Sequence, residues 1–517
     1  MNALAHKALS ACPTEISETE NPMQTEERRH NSFLSKSQFI RGLQCHKSLY
    51  LHKHHPELRG EISAGQEAVF QSGTDVGKLA QQLFPGGVEI PYDGLTISEQ
   101  VEQTAEAIAA GTETIYEASF GHDGIFVKVD ILYKGAHGWE LYEVKGSTVA
   151  KKVHVHDAAL QYHVLNGAGI NLAKAAIVHV NNGYTRHGEL DITSLFSIED
   201  VTLQVQELQE FVAREIARQR ESLQAGMPAI DIGRYCSEPY RCDFSSHCWS
   251  HIPEDSVFDL RGRGADKFKL YRQGVLTQAD IPLDTLNALQ RFQVDATLGQ
   301  KDSVDVDRVR KFLASLWYPL YFLDSETFTS AIPLFDGSRP YQQIPFQYSL
   351  HYQETELGEL KHYEFLAQPG IDPREELLCG LLEQIPENAC ILAYNKSFEI
   401  GVLRRLAEFF PAKRKQIECM IGNFRDLMAP FKSRAVYKWQ MKGSYSIKEV
   451  LPALVPELTY KGLEINNGGM AMEAYHEMGR MEKPQELEKI RMALLEYCKL
   501  DTLAMVRILE KMLELCS

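Results

Sequence analysis

Short apolar runs of strand type occupy residues 127–132 and 139–144, and Lys134-Gly135-Ala136-His137-Gly138 between them reads as a turn. Alternate residues of a strand share a face, so Glu143 and Lys145 point the same way with Leu141, and Tyr142 and Val144 point opposite. A hairpin of this kind brings Asp130 near Glu143. A helical pattern follows at residues 156–165, and an earlier helix, capped by Ser35, is expected to run through Cys45. Residues 66–80 are helical apart from their glycines, residues 201–223 form an amphipathic helix, and residues 284–292 form another. Further on, an apolar strand spans 318–328, with strands at 344–352, 361–367 and 390–394. One helix starts at Asp372-Pro373 and another at Asn395. In the last helix Leu487, Ile490, Leu494, Tyr497, Asp501, Ala504 and Ile508 recur at steps of three and four, which sets one acid in an inward seam.

Length changes this picture by requiring more than one core: 517 residues exceed a single ordinary domain. The pattern divides the chain into residues 1–30, polar and expected to be disordered; a first domain, 31–255; a helical connector, 256–315; and a second domain, 316–517. The composition, 44% hydrophobic and 24% charged, is that of a soluble globular protein. A net charge of -16 argues against a uniformly cationic nucleic-acid coat but leaves room for a local basic groove. No signal peptide is evident and no apolar run approaches the roughly 18 to 20 residues that span a bilayer, so a cytoplasmic protein without a membrane partner is expected. Ten cysteines then imply metal or reduced thiols rather than disulfides.

The hairpin gathers Asp130, Glu143 and Lys145. Two carboxylates suit a hard divalent cation such as Mg2+ or Mn2+, and a lysine beside them can orient water or stabilise charge on a phosphate. The plain alternative is a surface hairpin with one exposed ion pair. In the second domain, Asp324 and Glu326 share a strand face, Glu399 sits on the apolar stripe of its helix, and Asn395 is its N-cap at the least. An unpaired buried carboxylate is costly, so Asp501 calls for a cation, and Tyr497 lies one turn before it. Between these elements, residues 404–448 carry eleven Lys or Arg against three acids, interleaved with seven aromatic rings. Such a run suits a single strand of nucleic acid, or else a solvated basic face over core aromatics.

Three cysteines, Cys236, Cys242 and Cys248, are spaced C-x5-C-x5-C in a turn-rich segment where packing gives thiols no purpose. With Cys45, taken alone a core residue, they number the four thiolates of a 4Fe-4S cluster. Zinc is the rival, although its sites usually show a closer C-x2-4-C pair.

Asp130, Glu143-Val144-Lys145 and Gln161-Tyr162 together resemble the RecB-type core of the PD-(D/E)xK nucleases. The flanking cysteines resemble those of its iron–sulfur members, among them AddB and the CRISPR adaptation nucleases. The resemblance implies catalytic roles for Asp130, Glu143, Lys145 and Gln161, with Asp130 and Glu143 on the metal. Where such nucleases often place a metal-binding histidine this chain has Gly77 and Lys78, and Glu67 is a candidate substitute. Asp324 and Glu326, Asn395 to Glu399, and Tyr497-Cys498-Lys499-Leu500-Asp501 resemble the three motifs of DnaQ-like DEDDy exonucleases, with Glu399 in place of the usual Asp. That resemblance implies two metals on Asp324, Glu326, Glu399 and Asp501, with Tyr497 orienting water. The fold class expected is therefore α/β: a restriction-endonuclease-like domain with an iron–sulfur cluster, followed by an RNase H-like mixed-sheet domain.

The function implied is a metal-dependent deoxyribonuclease acting on ends or single strands, in DNA repair or defence against foreign DNA. The alternatives are an RNA exonuclease, a nucleic-acid-binding module with one or both sites silent, and a zinc-stabilised adaptor. Replacing Glu143 or Asp324 is expected to leave folding largely intact, because clustered carboxylates repel.

Overall fold

The structure, a computed structural model, describes residues 34–61 and 64–516, without the side chains of residues 64–70. The segment expected to be disordered, 1–30, and the side chain of Glu67 lie outside the described residues. The fold is mixed α/β, with two large mixed sheets covered by helices.

In the first sheet β1 (Leu34–Ser35) pairs parallel with β4 (Ile125–Gly135), and β2 (Val88–Glu89) pairs parallel with β3 (Thr114–His122). Strands β3, β4 and β5 (Gly138–Lys145) form an antiparallel meander in which Gly135 pairs with Gly138. The expected hairpin is present, with a two-residue turn. Strand β6 (Leu172–Val180) runs parallel to β5 and β7 (Phe196–Asp200) closes the edge. A parallel pair needs a crossover, supplied by α5 (Lys152–Gly167). Leu141 packs with Ala158, Ala159 and Leu160 of α5 on one face, while Tyr142 and Val144 pack on the other against Val76 and Ala80 of α3 (Ala64–Ala80). Alternation along β5 thus builds two cores at once.

Ahead of this sheet, Ser35 caps α1 (Lys36–Gln44) in a reciprocal box with Gln38. The helix does not run through Cys45. Cys45 has extended backbone, φ -164 and ψ 116, and a second helix, α2 (His46–His54), starts after it. Helix α3 continues unbroken through its glycines, whereas the expected helix 201–223 divides at Leu208 into Thr202–Glu207 and α6 (Gln209–Gln224). Helix α4 (Ile97–Ala109) precedes β3.

The connector is less helical than expected. Helix Ala288–Gly299 is set among 3-10 turns around a small core of Val257, Leu260, Leu270, Ile281 and Val294, while Val306–Leu313 packs by Val309, Phe312 and Leu313 on the core of the second domain. Its strand β8 (Ser303–Val304) pairs with β14 (Val436–Tyr437).

The second sheet is ordered β11 (Lys361–Leu366), β10 (Ile344–Gln353), β9 (Leu320–Phe328), β12 (Cys390–Ala393), β13 (Phe424–Asp426). Strand β9 is antiparallel to β10 and parallel to β12. Phe322 faces the core shared with α9 (Gly468–Met478) and α10 (Pro484–Glu514), while Tyr321 and Leu323 face α7 (Arg374–Gln384) and α8 (Lys396–Phe409). Between β9 and β10, residues 329–343 leave the domain and lie on the first. Ala331 enters the core behind β5, and Arg186 exchanges backbone hydrogen bonds with Ser338 (3.0 Å) and Gly337 (2.8 Å). Among the described residues no helix is long and apolar enough to cross a membrane.

Candidate active sites and a four-cysteine pocket

The β4–β5 ladder stops at Ile131 and Tyr142 although both strands run on. Beyond it, Asp130 Oδ2 accepts the Val144 N–H at 2.6 Å, so a carboxylate replaces the missing ladder partner. Glu143, only 1% exposed, accepts from Lys145 Nζ (2.5 Å), Gln161 Nε2 (2.6 Å) and Lys36 Nζ (2.9 Å). Lys145 also reaches Asp157 Oδ2 at 2.6 Å. The structure therefore brings together all four residues expected at this site. Burial, then Glu143, pushes the Asp130 carboxyl up to about 7. Burial opposes ionisation of Glu143 too, but Lys145 and Lys36 hold it well below the usual carboxylate range.

Three further residues complete the site. Lys36 is the first residue of α1, and no periodicity marks such a position as inward. Asp157 lies four residues before Gln161, a spacing that does put both on one face of α5. Glu117 has φ 55 and sits where the β3–β4 pairing skips, from Tyr116↔Ile131 to Ala118↔Val129. Its carboxylate lies 3.6 Å from Lys128 Nζ, and burial, first of all, raises its pKa. Among the described residues Asp157 Oδ1, 4.0 Å from Lys36 Nζ, and Gln161 Oε1 are buried without a hydrogen-bond partner.

The lysines overturn one expectation. Glu143 sits in attraction, not repulsion, so Glu143→Ala leaves two half-buried ammonium groups with Asp157 as their one remaining close carboxylate. We expect it to destabilise the first domain by about 3–5 kcal/mol, read as a lowered denaturant midpoint. Glu143→Gln, which keeps the shape, should cost less.

In the second site Asp324, Glu326 and Asp501 offer carboxylate oxygens that all lie within 4.8 Å of one another. The two β9 acids are not at the strand's tip; they lie just past the end of its parallel neighbour β12, which pairs only with residues 320–322. Asp501 faces them from α10, with Leu494, Tyr497, Ala504 and Ile508 of its seam buried. Burial, then Asp501 and Glu326, drives the Asp324 carboxyl well above its ordinary value. Burial, then Asp501 and Glu399, push Glu326 to about 8, with Lys448 opposing. Asp501 rises to about 6 by burial, restrained by hydrogen bonds from Tyr460 and Tyr497.

Tyr460, absent from the sequence reading, donates to Asp501 Oδ1 at 2.6 Å. Glu399 stands apart. Its carboxylate accepts from the backbone N–H (3.3 Å) and hydroxyl of Ser325, and burial raises it to about 7. Asn395 is not a side-chain cap; its backbone is left-handed, φ 68, and its N–H donates to Asp426 Oδ1. In the basic stretch 404–448, Phe424, Phe431 and Tyr437 are core and Phe409 packs under Arg374, while Tyr445 is exposed.

Cys45, Cys236, Cys242 and Cys248 line one pocket with Tyr235 and Phe244. The break after α1 is what frees Cys45 to turn inward. Cys236 Sγ accepts the Gly233 N–H at 3.5 Å. Burial, before the neighbouring sulfurs, raises the thiols of Cys45 and Cys248. Four thiols in one pocket suit either a tetrahedral zinc ion or a larger iron–sulfur group.

The chain matches the family model "Domain of unknown function (DUF2779)" over residues 321–446, a span that holds Asp324, Glu326 and Glu399 but ends before Tyr497 and Asp501. It is 26% identical over 216 residues to an uncharacterized protein of Mycoplasma pneumoniae, a homolog of MG366, covering 38% of this chain and 32% of that one. It is 29% identical over 170 residues to the uncharacterized protein UU173 of Ureaplasma parvum, covering 28% of this chain and 24% of that one. The chain thus spans about a third or less of the length of these relatives.

Proposed function

We propose that the protein is a divalent-metal-dependent nuclease with two hydrolytic sites, the first of PD-(D/E)xK type and the second an RNase H-like exonuclease of DEDDy type, acting on DNA ends or single strands. The observation that carries this reading is the convergence of half-buried Asp324 and Glu326 with buried Asp501, mutually repelling, from two elements far apart in sequence. Such a group is unstable as three anions and is relieved by a cation. Mg2+ or Mn2+ bound there would polarise the attacking water and stabilise the leaving oxygen.

The chain's own groups do the rest. Tyr460 pins one oxygen of Asp501, which leaves the other for the ion. Tyr497, in hydrogen-bond contact with both Glu326 and Asp501, orients the attacking water. In the first site Asp130 and Glu143 would hold the ion, which would supply Lewis-acid activation of water, and the ammonium groups of Lys145 and Lys36 beside Glu143 are the groups that would stabilise charge on a phosphate. The four cysteines hold a 4Fe-4S cluster whose role is structural.

The test is incubation of the purified protein with end-labelled single- and double-stranded DNA and RNA in Mg2+ and in Mn2+. Cleavage of RNA alone would make it an RNA exonuclease, and no cleavage with retained binding would leave a nucleic-acid-binding module. Tyr497→Phe should lower release of 3′ nucleotides about 100-fold, the scale of a lost positioning group, and less than Asp501→Ala does in the same assay.

A further inference from the structure

Residues 329–343 carry an aromatic ring from the second domain to the rim of the first site. Tyr341 has left-handed backbone, φ 58, a conformation a bulky residue keeps only when its surroundings impose it. Its N–H donates to Ser330 O at 2.7 Å, and its hydroxyl donates to the carbonyl of Gly146, the residue after Lys145. A Cβ on Gly146 would stand 3.4 Å from that hydroxyl oxygen. Both ends of the side chain are thus held, yet the residue is 40% exposed. Exposed cations lie nearby in the chain: Arg339, whose Nε donates to Thr185 Oγ1 of the first domain at 3.1 Å, and Lys151 and Lys152, which follow the Gly146 turn.

A fixed, partly exposed ring beside the proposed first site, with exposed cations close to it and to Gly146 in sequence, has the chemistry that binds single-stranded nucleic acid: phosphates neutralised and a base stacked. We infer that Tyr341 is a base-stacking residue of the first site, supplied across the domain boundary, and that the substrate there is held as an unpaired strand. This rests on the nuclease reading of that site and goes beyond it by naming a substrate contact in the other domain.

The test is fluorescence anisotropy of a labelled oligo-dT, and of an abasic strand of equal length, in Ca2+ so that binding is read without cleavage. Tyr341→Ala should weaken oligo-dT binding at least tenfold, within the range for loss of one stacked base. It should leave binding of the abasic strand and release of 3′ nucleotides by the second site unchanged. Tyr341→Phe, which keeps the ring, should bind oligo-dT within about threefold of wild type. In cleavage by the first site the Ala variant should raise KM with kcat held. Equal oligo-dT affinity of Tyr341→Ala and wild type overturns the inference, and so does a Phe variant as weak as Ala, which would make the hydroxyl a mere domain tether. Wild-type protein that binds no strand overturns the nuclease reading itself, and this inference with it.

Discussion

Replacing Asp324 by asparagine should reduce release of 3′ nucleotides by at least about 10³-fold, since losing a ligand to a hydrolytic ion removes several kcal/mol of transition-state stabilisation and each 1.36 kcal/mol is about tenfold. The same change should raise the melting temperature of the metal-free protein. Asp324 stands against Asp501 and Glu326 in a half-buried cluster, and a neutral amide of equal shape removes that repulsion. The sign with pH follows. Folded-state values of about 8 for Glu326, 7 for Glu399 and 6 for Asp501 exceed the ordinary carboxylate range, so the folded site binds more protons than the unfolded chain does. Metal-free wild type should therefore gain stability as pH falls from about 8 to 6, and saturating Mg2+ or Mn2+ should flatten that slope. Calorimetry with and without chelator reads both effects. If Asp324→Asn leaves 3′ release intact while Glu143→Gln abolishes all cleavage, the second site is not a working exonuclease.

Replacing Cys242 by serine should strip the protein of iron and sulfide and unfold the first domain at a much lower temperature. Cys45 and Cys236 are nearly two hundred residues apart in sequence, so a group that ties them closes a long loop, where a cross-link restricts the unfolded chain most. Cys379→Ala and Cys390→Ala should keep their iron, because Cys390 is packed inside β12 and Cys379 accepts from Lys413 Nζ at 3.2 Å, both away from the four-cysteine pocket. Protein purified without oxygen should be brown. Colourless protein with stoichiometric zinc would put zinc in the pocket instead.

Period and polarity made much of this legible. The hairpin, the opposed faces of β5, the strands of the second sheet and the inward seam of α10 each follow from side chains recurring at two or at three and four. Asp130, Glu143, Lys145, Asp324, Glu326 and Asp501 could be found because each interrupts such a pattern with a charge. Lys36 and Tyr460 interrupt nothing: one opens a helix and the other lies in an irregular segment, so only tertiary packing reveals their direction. Glu399 shows the reverse. Its place on an apolar stripe was plain, but Ser325, which captures the carboxylate, sits on the opposite strand face from Asp324 and Glu326. The break at Cys45 was hidden because its neighbours continue the helical pattern on both sides.

Helix α1 has Lys36 at one end and meets Cys45 at the other. Nine residues at 1.5 Å each make a rigid strut of about 13 Å, with the carboxylate centre at one tip and the sulfur pocket at the other. Whatever loosens the sulfur end swings the ammonium end. If the proposed cluster and sites are present, air oxidation should therefore act as a selective poison: as iron is lost, Glu143-dependent cleavage should decay in step with it, while 3′-end release by the second domain, which shares no element with that strut, should persist.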